Sequence, residues 1–270
     1  MADPDRTLYS DSLGTEIYDL QSAAIAPERP SGGDVAFFRR LAETAGGPVL
    51  EIGSGTGRVA IQLAEAGFDV VGIDRSTAML RVAEGRRASL APEVAGRLTF
   101  LVGDMTALDL GRPFGLIVAP SRVFQFALTS EAQRAALRAM KAHLRVDGRL
   151  VLDLFDPAFE YIGPDAIFPA RSGEVVHPRT GNVVVWEILG RPPDPAAQLV
   201  VSDWTARELG PSGEVLREET ERLTLRWSTR SEMRLLFELE GLEVDAEYGD
   251  FDGGPSEYGK EQVWVLGHAA

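Results

Sequence analysis

The chain has 270 residues, with 41 Asp and Glu against 27 Lys and Arg, a formal net charge of −14 and no cysteine. Its 44% hydrophobic and 25% charged fractions are globular proportions, and the length suits one large domain or one domain carrying a big insertion. Disulfides, thiolate metal sites and cysteine nucleophiles are excluded. Three scattered histidines (His143, His177, His268) argue against a His-based metal cluster. No apolar run approaches the ~20 residues of a membrane span, and the opening MADPDRTLYSDSLG lacks the basic and apolar regions of a signal peptide. The expectation is a cytoplasmic protein with no membrane partner. The acidic balance also argues against a nucleic-acid backbone as partner.

Residues 1–33 carry Tyr9 and Tyr18 and close on a break formed by Pro27, Pro30, Gly32 and Gly33. Asp34 can cap a helix running to Ala45, with Val35, Phe38 and Leu41 at helical spacing. Strands and helices then alternate. Val49–Ile52 is a short strand entering a glycine-rich turn, Val59–Glu65 a helix, and Asp69–Ile73 a buried strand ending at Asp74. Ser76 can cap a helix with Met79, Leu80 and Ala83 on one face. Leu98–Val102 and Phe114–Val118 are further strands, the second ending at Ala119-Pro120-Ser121. Ser130 with Gln133 reads as a capping box, and Asp147-Gly148 as a turn into a fifth strand, Arg149–Leu154. This rhythm predicts a doubly wound α/β sheet, mostly parallel and covered on both faces. Ligands of such sheets bind just past the carboxyl ends of the strands.

After Pro157 the rhythm changes. Asn182–Arg191, Gln198–Leu209 and Glu214–Trp227 are strand-like, separated by turn clusters, and predict an antiparallel meander. Helical spacing returns at Thr229, where Thr229 and Glu232 form a capping box and Gly241 stops the helix. Leu242–Tyr248 alternates as a one-face strand and Gln262–Leu266 is a final buried one, the two pairing antiparallel on the sheet edge.

The central motif is Glu51-Ile-Gly53-Ser54-Gly55-Thr-Gly57-Arg58. Glycines allow the tight turn and close ligand approach at a helix start, and Asp74 at the next strand end can accept from a ribose diol. A plain strand-to-helix turn with Asp74 as cap is the bland alternative. A dinucleotide site wants a small residue where Arg58 stands, and its pyrophosphate would be repelled by Glu51 at the turn entrance. A ligand carrying a cation would be attracted.

The run VLEIGSGTGRVAIQLAEAGFDVVGIDRSTAML resembles motif I and the following strand of class I S-adenosylmethionine-dependent methyltransferases of the small-molecule type. The resemblance continues through Gly103-Asp104-Met105-Thr106, FGLIVAPSRVFQFALTSE and HLRVDGRLVLDLFDP, and more weakly from Thr229 to the end. It implies a Rossmann-like, seven-stranded, mostly parallel sheet with an inserted β-meander. It also implies S-adenosylmethionine as cofactor and S-adenosylhomocysteine as product. Asp153 and Asp156 end the fifth strand, but two carboxylates without a third partner are weak evidence for a metal, and none is expected. By position, Glu51, Gly53, Ser54, Gly55 and Gly57 would line the methionine moiety. Asp74 would hold the ribose, with Arg75 and Met79 beside the adenosine. Asp104, Met105 and Thr106 would meet the adenine. Pro120 and Ser121 follow the fourth strand, where the family presents the sulfonium. Arg58 either pairs with the methionine carboxylate or is a helix-surface arginine.

The implied layout is an N-terminal lid segment (1–33), a donor-binding core (34–157), an antiparallel insertion serving as acceptor lid and possible homo-oligomer surface (158–228), and a C-terminal helix with two edge strands (229–270). Tyr9, Tyr18 and Phe124 are the residues expected nearest the reacting atoms, with aromatic packing as the alternative. Tyr161, Trp186, Trp204 and Arg226 are candidates for shaping an acceptor pocket. His177 is the one histidine suited to act as base, against a surface turn; His143 reads as structural and His268 as exposed. Without a clear base, N-methylation of a small molecule is favoured. O-methylation or a non-catalytic S-adenosylmethionine-binding subunit are the alternatives.

Overall fold

The computed structural model describes residues 9–25, 33–163, 166 and 170–269, the Tyr161 side chain excepted. In chain order the elements are α1 (Leu13–Ile25), α2 (Gly33–Ala45), β1 (Val49–Ile52), α3 (Arg58–Glu65), β2 (Val70–Asp74), α4 (Thr77–Arg87), α5 (Pro92–Ala95), β3 (Leu98–Val102) and β4 (Phe114–Ala119). After a 3₁₀ turn at Val123–Phe126 come α6 (Ser130–Ala142), β5 (Leu144–Phe155), α7 (Phe159–Ile162), β6 (Arg171–Val176), β7 (Val183–Gly190), β8 (Leu199–Leu209) and β9 (Val215–Arg226). The chain closes with α8 (Arg230–Leu239), β10 (Leu242–Tyr248) and β11 (Glu261–His268).

Two compact units result. Gly32–Ala158 with Arg226–Ala270 forms one, and the described residues of Met1–Ser31 with Phe159–Leu225 form the other. The first holds a seven-stranded sheet in the order β10-β11-β5-β4-β1-β2-β3. Pairs β1–β2, β1–β4, β2–β3 and β4–β5 are parallel, while β11 lies antiparallel between β5 and β10. The register sets Ile52 opposite Ile73, and Asp74 opposite Val102, so the carboxyl ends of β1, β2 and β3 lie level. Apolar clusters fill both faces: one contains Ile52, Ile117, Leu152 and Phe237, the other Val49, Val70, Val118 and Val265. This is the expected doubly wound sheet with its antiparallel edge.

Three local expectations are corrected. The cap of α6 is Thr129, whose extended backbone lets its hydroxyl accept from the Ala132 amide. Gln133 consequently points inward, fully buried, and donates to Ser228 Oγ at 3.2 Å. No turn separates Asp147-Gly148 from the fifth strand, which starts at Leu144. The second unit carries four strands in the order β6-β7-β8-β9, one more than the three expected. Strand β6 is polar and largely exposed, so it lacks the alternation that marks a half-buried strand.

Helix α1 packs on that four-stranded sheet through Leu13, Ile17, Val184, Trp186, Ile188 and Ala206, so the first segment belongs to the inserted unit. Ion pairs reinforce the contact. Glu16 accepts from Arg217 Nη1 (2.6 Å), Arg179 Nη2 (2.7 Å) and His177 Nε2 (2.9 Å). Burial pushes the Glu16 carboxyl up, but the Arg217, Arg179 and His177 bonds outweigh it and hold its pKa down at about 2, from 4.5. A depressed folded-state pKa stabilises fully above the unfolded value and is lost as pH falls through the folded one. Glu16→Gln should therefore lower thermal stability by a constant gap above pH 4.5, and the gap should narrow as pH falls towards about 2. Melting curves followed by tryptophan fluorescence across that range check it.

Candidate active site

The turn between β1 and α3 is built by glycines in the left-handed region: Gly53 (φ 67°), Gly55 (φ 54°) and Gly57 (φ 82°). A Cβ on Gly53 would sit 2.2 Å from Val123 Cγ2, so the turn lies flat against the segment after β4. A Cβ on Gly55 would meet nothing within 4 Å, which leaves an open cradle over the turn. The turn is fixed by Ser54 N donating to Ile73 O (2.8 Å) and Gly57 N to Ser54 O (2.8 Å).

Two carboxylates frame it. Glu51 is 2% exposed and accepts from the Ala60 amide at 2.9 Å. Burial pushes its carboxyl well above the usual range, although Arg58 and the Ala60 amide pull the other way. Asp74 accepts from the Gly55 amide (2.8 Å, Oδ2) and the Ser76 amide (2.7 Å, Oδ1). Burial raises its carboxyl too, against the Ser76, Gly55 and Arg75 amides. A carboxylate offers about four lone-pair sites, so Asp74 keeps acceptor capacity for a ligand hydroxyl.

At the β3 end, Asp104 Oδ1 accepts from the Thr106 hydroxyl (2.6 Å) and amide (2.8 Å), and Arg75 Nε lies 3.5 Å from its other oxygen. Burial opposes ionisation there, but the Thr106 bonds and Arg75 outweigh it and lower the pKa. Met79 and Met105 are buried, at 2% and 9% exposure. Pro120 is buried and Ser121 exposed after β4. Ser121 (φ 59°) and Arg122 (φ 65°) are both left-handed, which costs about 1–3 kcal/mol per non-glycine residue.

The other candidates are placed as follows. Arg58 is half-buried and its guanidinium forks onto Asp34, at 2.9 Å and 2.5 Å. Phe124 is wholly buried in the sheet's apolar cluster. Arg226 belongs with the sheet unit and is buried, donating to Ser130 Oγ, Gln133 Oε1 and Glu232 Oε1. In the other unit, Tyr9 and Tyr18 meet edge to face at 5.2 Å, and Tyr9 lines a small cavity with Gln21, Trp204, Glu219 and Glu221. Trp186 is 3% exposed core, and Trp204 donates from Nε1 to Ser202 Oγ. The Tyr161 side chain lies outside the described residues. Asp34, expected only as a helix cap, also takes the Arg58 guanidinium 24 residues on, and the Arg122 amide meets Asp153 across 31 residues with no local motif to mark the pairing.

All three imidazoles are engaged. His143 Nδ1 faces Ala139 O (2.8 Å), and Nε2 accepts from the Leu110 amide. His177 is 1% exposed rather than on a surface turn, with Nδ1 accepting from the Arg179 and Thr180 amides and Nε2 on Glu16. His268 is half-buried rather than exposed, its Nε2 facing Leu144 O at 3.1 Å. Among the described residues no His, Asp and Glu group is suited to hold a metal, and no helix is long and apolar enough to cross a membrane.

A glycine turn with acidic residues at three level strand ends defines a Rossmann-like nucleoside-binding protein. A family model described as a methyltransferase domain matches residues 49–148. A cypemycin N-terminal methyltransferase from a Streptomyces species is 31% identical over 256 residues, covering 94% of each chain. The structure of the CcbJ methyltransferase from Streptomyces caelestis superposes with a TM-score of 0.78 at 26% identity, covering 98% of this chain and 100% of that one. The sugar N-methyltransferase KedS8 from Streptoalloteichus sp shares the fold, with a TM-score of 0.74 at 23% identity and coverage of 100% and 99%. The chain belongs to the S-adenosylmethionine-dependent methyltransferases, and S-adenosylmethionine is its methyl donor.

The Glu51 shift gives a measurable consequence. A raised folded-state carboxyl pKa contributes stability that is full below the unfolded value of 4.5 and is lost as pH rises through the folded value. Glu51→Gln, which imitates the protonated form, should melt above the parent near neutral pH. The advantage should shrink as pH approaches 4.5. Thermal denaturation across that interval measures it.

Proposed function

We propose that the enzyme methylates the nitrogen of a small amine of the natural-product type. The observation that carries the reading is the engagement of all three imidazoles in structural bonds. A hydroxyl acceptor must lose its proton in the displacement and calls for a base, whereas a neutral amine can lose its proton afterwards. The relative named for N-terminal methylation, with 31% identity across 94% of both chains, supports the same choice.

The residues fit the donor. Bound S-adenosylmethionine supplies a methyl group already activated by its sulfonium. Gly53, Ser54, Gly55 and Gly57 would give it close backbone approach, and Glu51 a carboxylate at the turn entrance. Asp74 would accept from the ribose hydroxyls, with Arg75 and Met79 beside it. Asp104, Met105 and Thr106 would bound the adenine, and Pro120 and Ser121 the methyl-bearing side. Arg58 is left out of this set because Asp34 occupies its fork. The protein's contribution is chiefly to hold donor and acceptor at ~3–3.5 Å in line. Recognition of the acceptor is assigned to the inserted unit, with Tyr9, Tyr18 and Trp204 as its aromatic candidates; Trp186, buried in that unit's core, is left out.

Two outcomes test this. A panel of primary amines, amino sugars and peptide N-termini, each paired with the matching alcohol, should yield S-adenosylhomocysteine from amines only. Turnover confined to alcohols would overturn the N-methylation reading. Asp74→Ala should weaken S-adenosylmethionine binding by about 1–3 kcal/mol, the range for hydrogen bonds to a buried charged group, as measured by isothermal titration calorimetry. An unchanged affinity would remove Asp74 from the ribose.

A further inference from the structure

The segment after β4 departs from ordinary backbone. Ser121 and Arg122 are consecutive non-glycine residues in the left-handed region, a conformation that a small fraction of such residues adopt singly. Of the four non-glycine residues with positive φ among those described, they are the two adjacent ones. A turn held this way must be over-determined by its surroundings, and the surroundings are identifiable.

Asp153, 2% exposed on β5, accepts from the Arg122 amide through Oδ2 at 3.2 Å. The Arg122 side chain is gripped from the neighbouring strand pair. Its Nη2 donates to Glu261 Oε1 at 2.6 Å, and its guanidinium carbon lies 5.5 Å from the Phe155 ring centroid. Glu261 and Phe155 are themselves partners across β11 and β5. Three residues further on, Gln125 is wholly buried, accepting from the Phe155 amide (3.0 Å) and donating to Arg226 O (3.1 Å). The segment from Arg122 to Gln125 is thus tied to β5 by both of those residues.

The clamp bears on the donor turn through one contact. Val123, immediately after the left-handed pair, places its Cγ2 2.2 Å from where a Gly53 Cβ would stand. If Arg122 relaxed to ordinary φ, Val123 would leave that surface and the glycine turn would lose its floor.

We infer that Asp153 is a positioning residue for methyl transfer: through the Arg122 amide it holds the post-β4 turn against Gly53 and so sets the donor affinity of the glycine turn. This rests on the placement of the donor on that turn under the proposed function. Asp153→Ala, titrated calorimetrically with S-adenosylmethionine and S-adenosylhomocysteine well below its melting temperature, should bind both about tenfold more weakly, the loss of one hydrogen bond to a charged group. Asp153→Asn keeps an acceptor for the Arg122 amide in the same volume and should restore affinity to within about threefold of the parent.

A folded Asp153→Ala that melts lower but binds both nucleosides as the parent does would reduce Asp153 to a structural role and overturn the inference. Should Asp153→Ala fail to fold, Asp153→Asn decides alone. Parental affinity supports the clamp, and a tenfold loss in the folded Asn protein overturns it, because the charge rather than the amide bond would then matter. Asp74→Ala separates the two readings. If it weakens binding while Asp153→Ala does not, the clamp alone fails; if neither does, the donor placement fails.

Discussion

A carboxylate sealed under a glycine turn is costly, and the site is organised around that cost. Glu51 stands on β1, the central strand between β4 and β2, with almost no access to water. Desolvation favours its neutral form, and the Ala60 amide at the start of α3 only partly offsets this. A cationic ligand above the turn would restore the balance by favouring the ionised form. The fold therefore keeps a carboxyl whose ionised form burial disfavours, at the entrance of the glycine turn. Asp74 repeats the arrangement more mildly, raised by burial yet bound by two backbone amides.

Much of this was legible in the chain because it depends on local spacing. The strand ends at Ile52 and Asp74, the Ser76 cap, the Thr229 cap and the antiparallel edge pair all follow from apolar period, glycine position and capping chemistry. Glycines 53, 55 and 57 announce positive φ by residue type alone. Features fixed by distant partners were not legible. Arg58 reads as a ligand or surface arginine until Asp34, 24 residues earlier, is seen to take its fork. His177 reads as a turn residue until Glu16, 161 residues earlier, covers it. Strand β6 carries almost no apolar signal, because its identity comes from pairing with β7. The Ser121–Arg122 conformation has no residue-type marker, since neither is Gly, Asn or Asp.

The same contrast explains why the donor side reads more clearly than the acceptor side. Recognition of a nucleoside sulfonium uses backbone amides and carboxylates at strand ends, and these positions are dictated by the sheet. Recognition of an acceptor falls to side chains whose surroundings the fold does not fix. In the inserted unit the tryptophans have divided roles: Trp186 is core beneath α1, whereas Trp204 is half-buried and borders a cavity with Tyr9. Arg226, by sequence position a residue of the insertion, is instead bound by Ser130, Gln133 and Glu232 in the sheet unit.

That last arrangement has a mechanical consequence. The chain re-enters the sheet unit at Arg226, and there it meets fully buried amides rather than a loose linker. Gln125 takes the Arg226 carbonyl, Gln133 its guanidinium, and Gln262 the Ser228 carbonyl together with Asp156. Buried polar groups are expensive unless every member is paired, so a network of this extent fixes the re-entry point in one geometry. Gln125 belongs to the turn that also carries Arg122 and Val123. The segment bordering the glycine turn and the residues at which the chain rejoins the sheet unit are therefore held by one buried network.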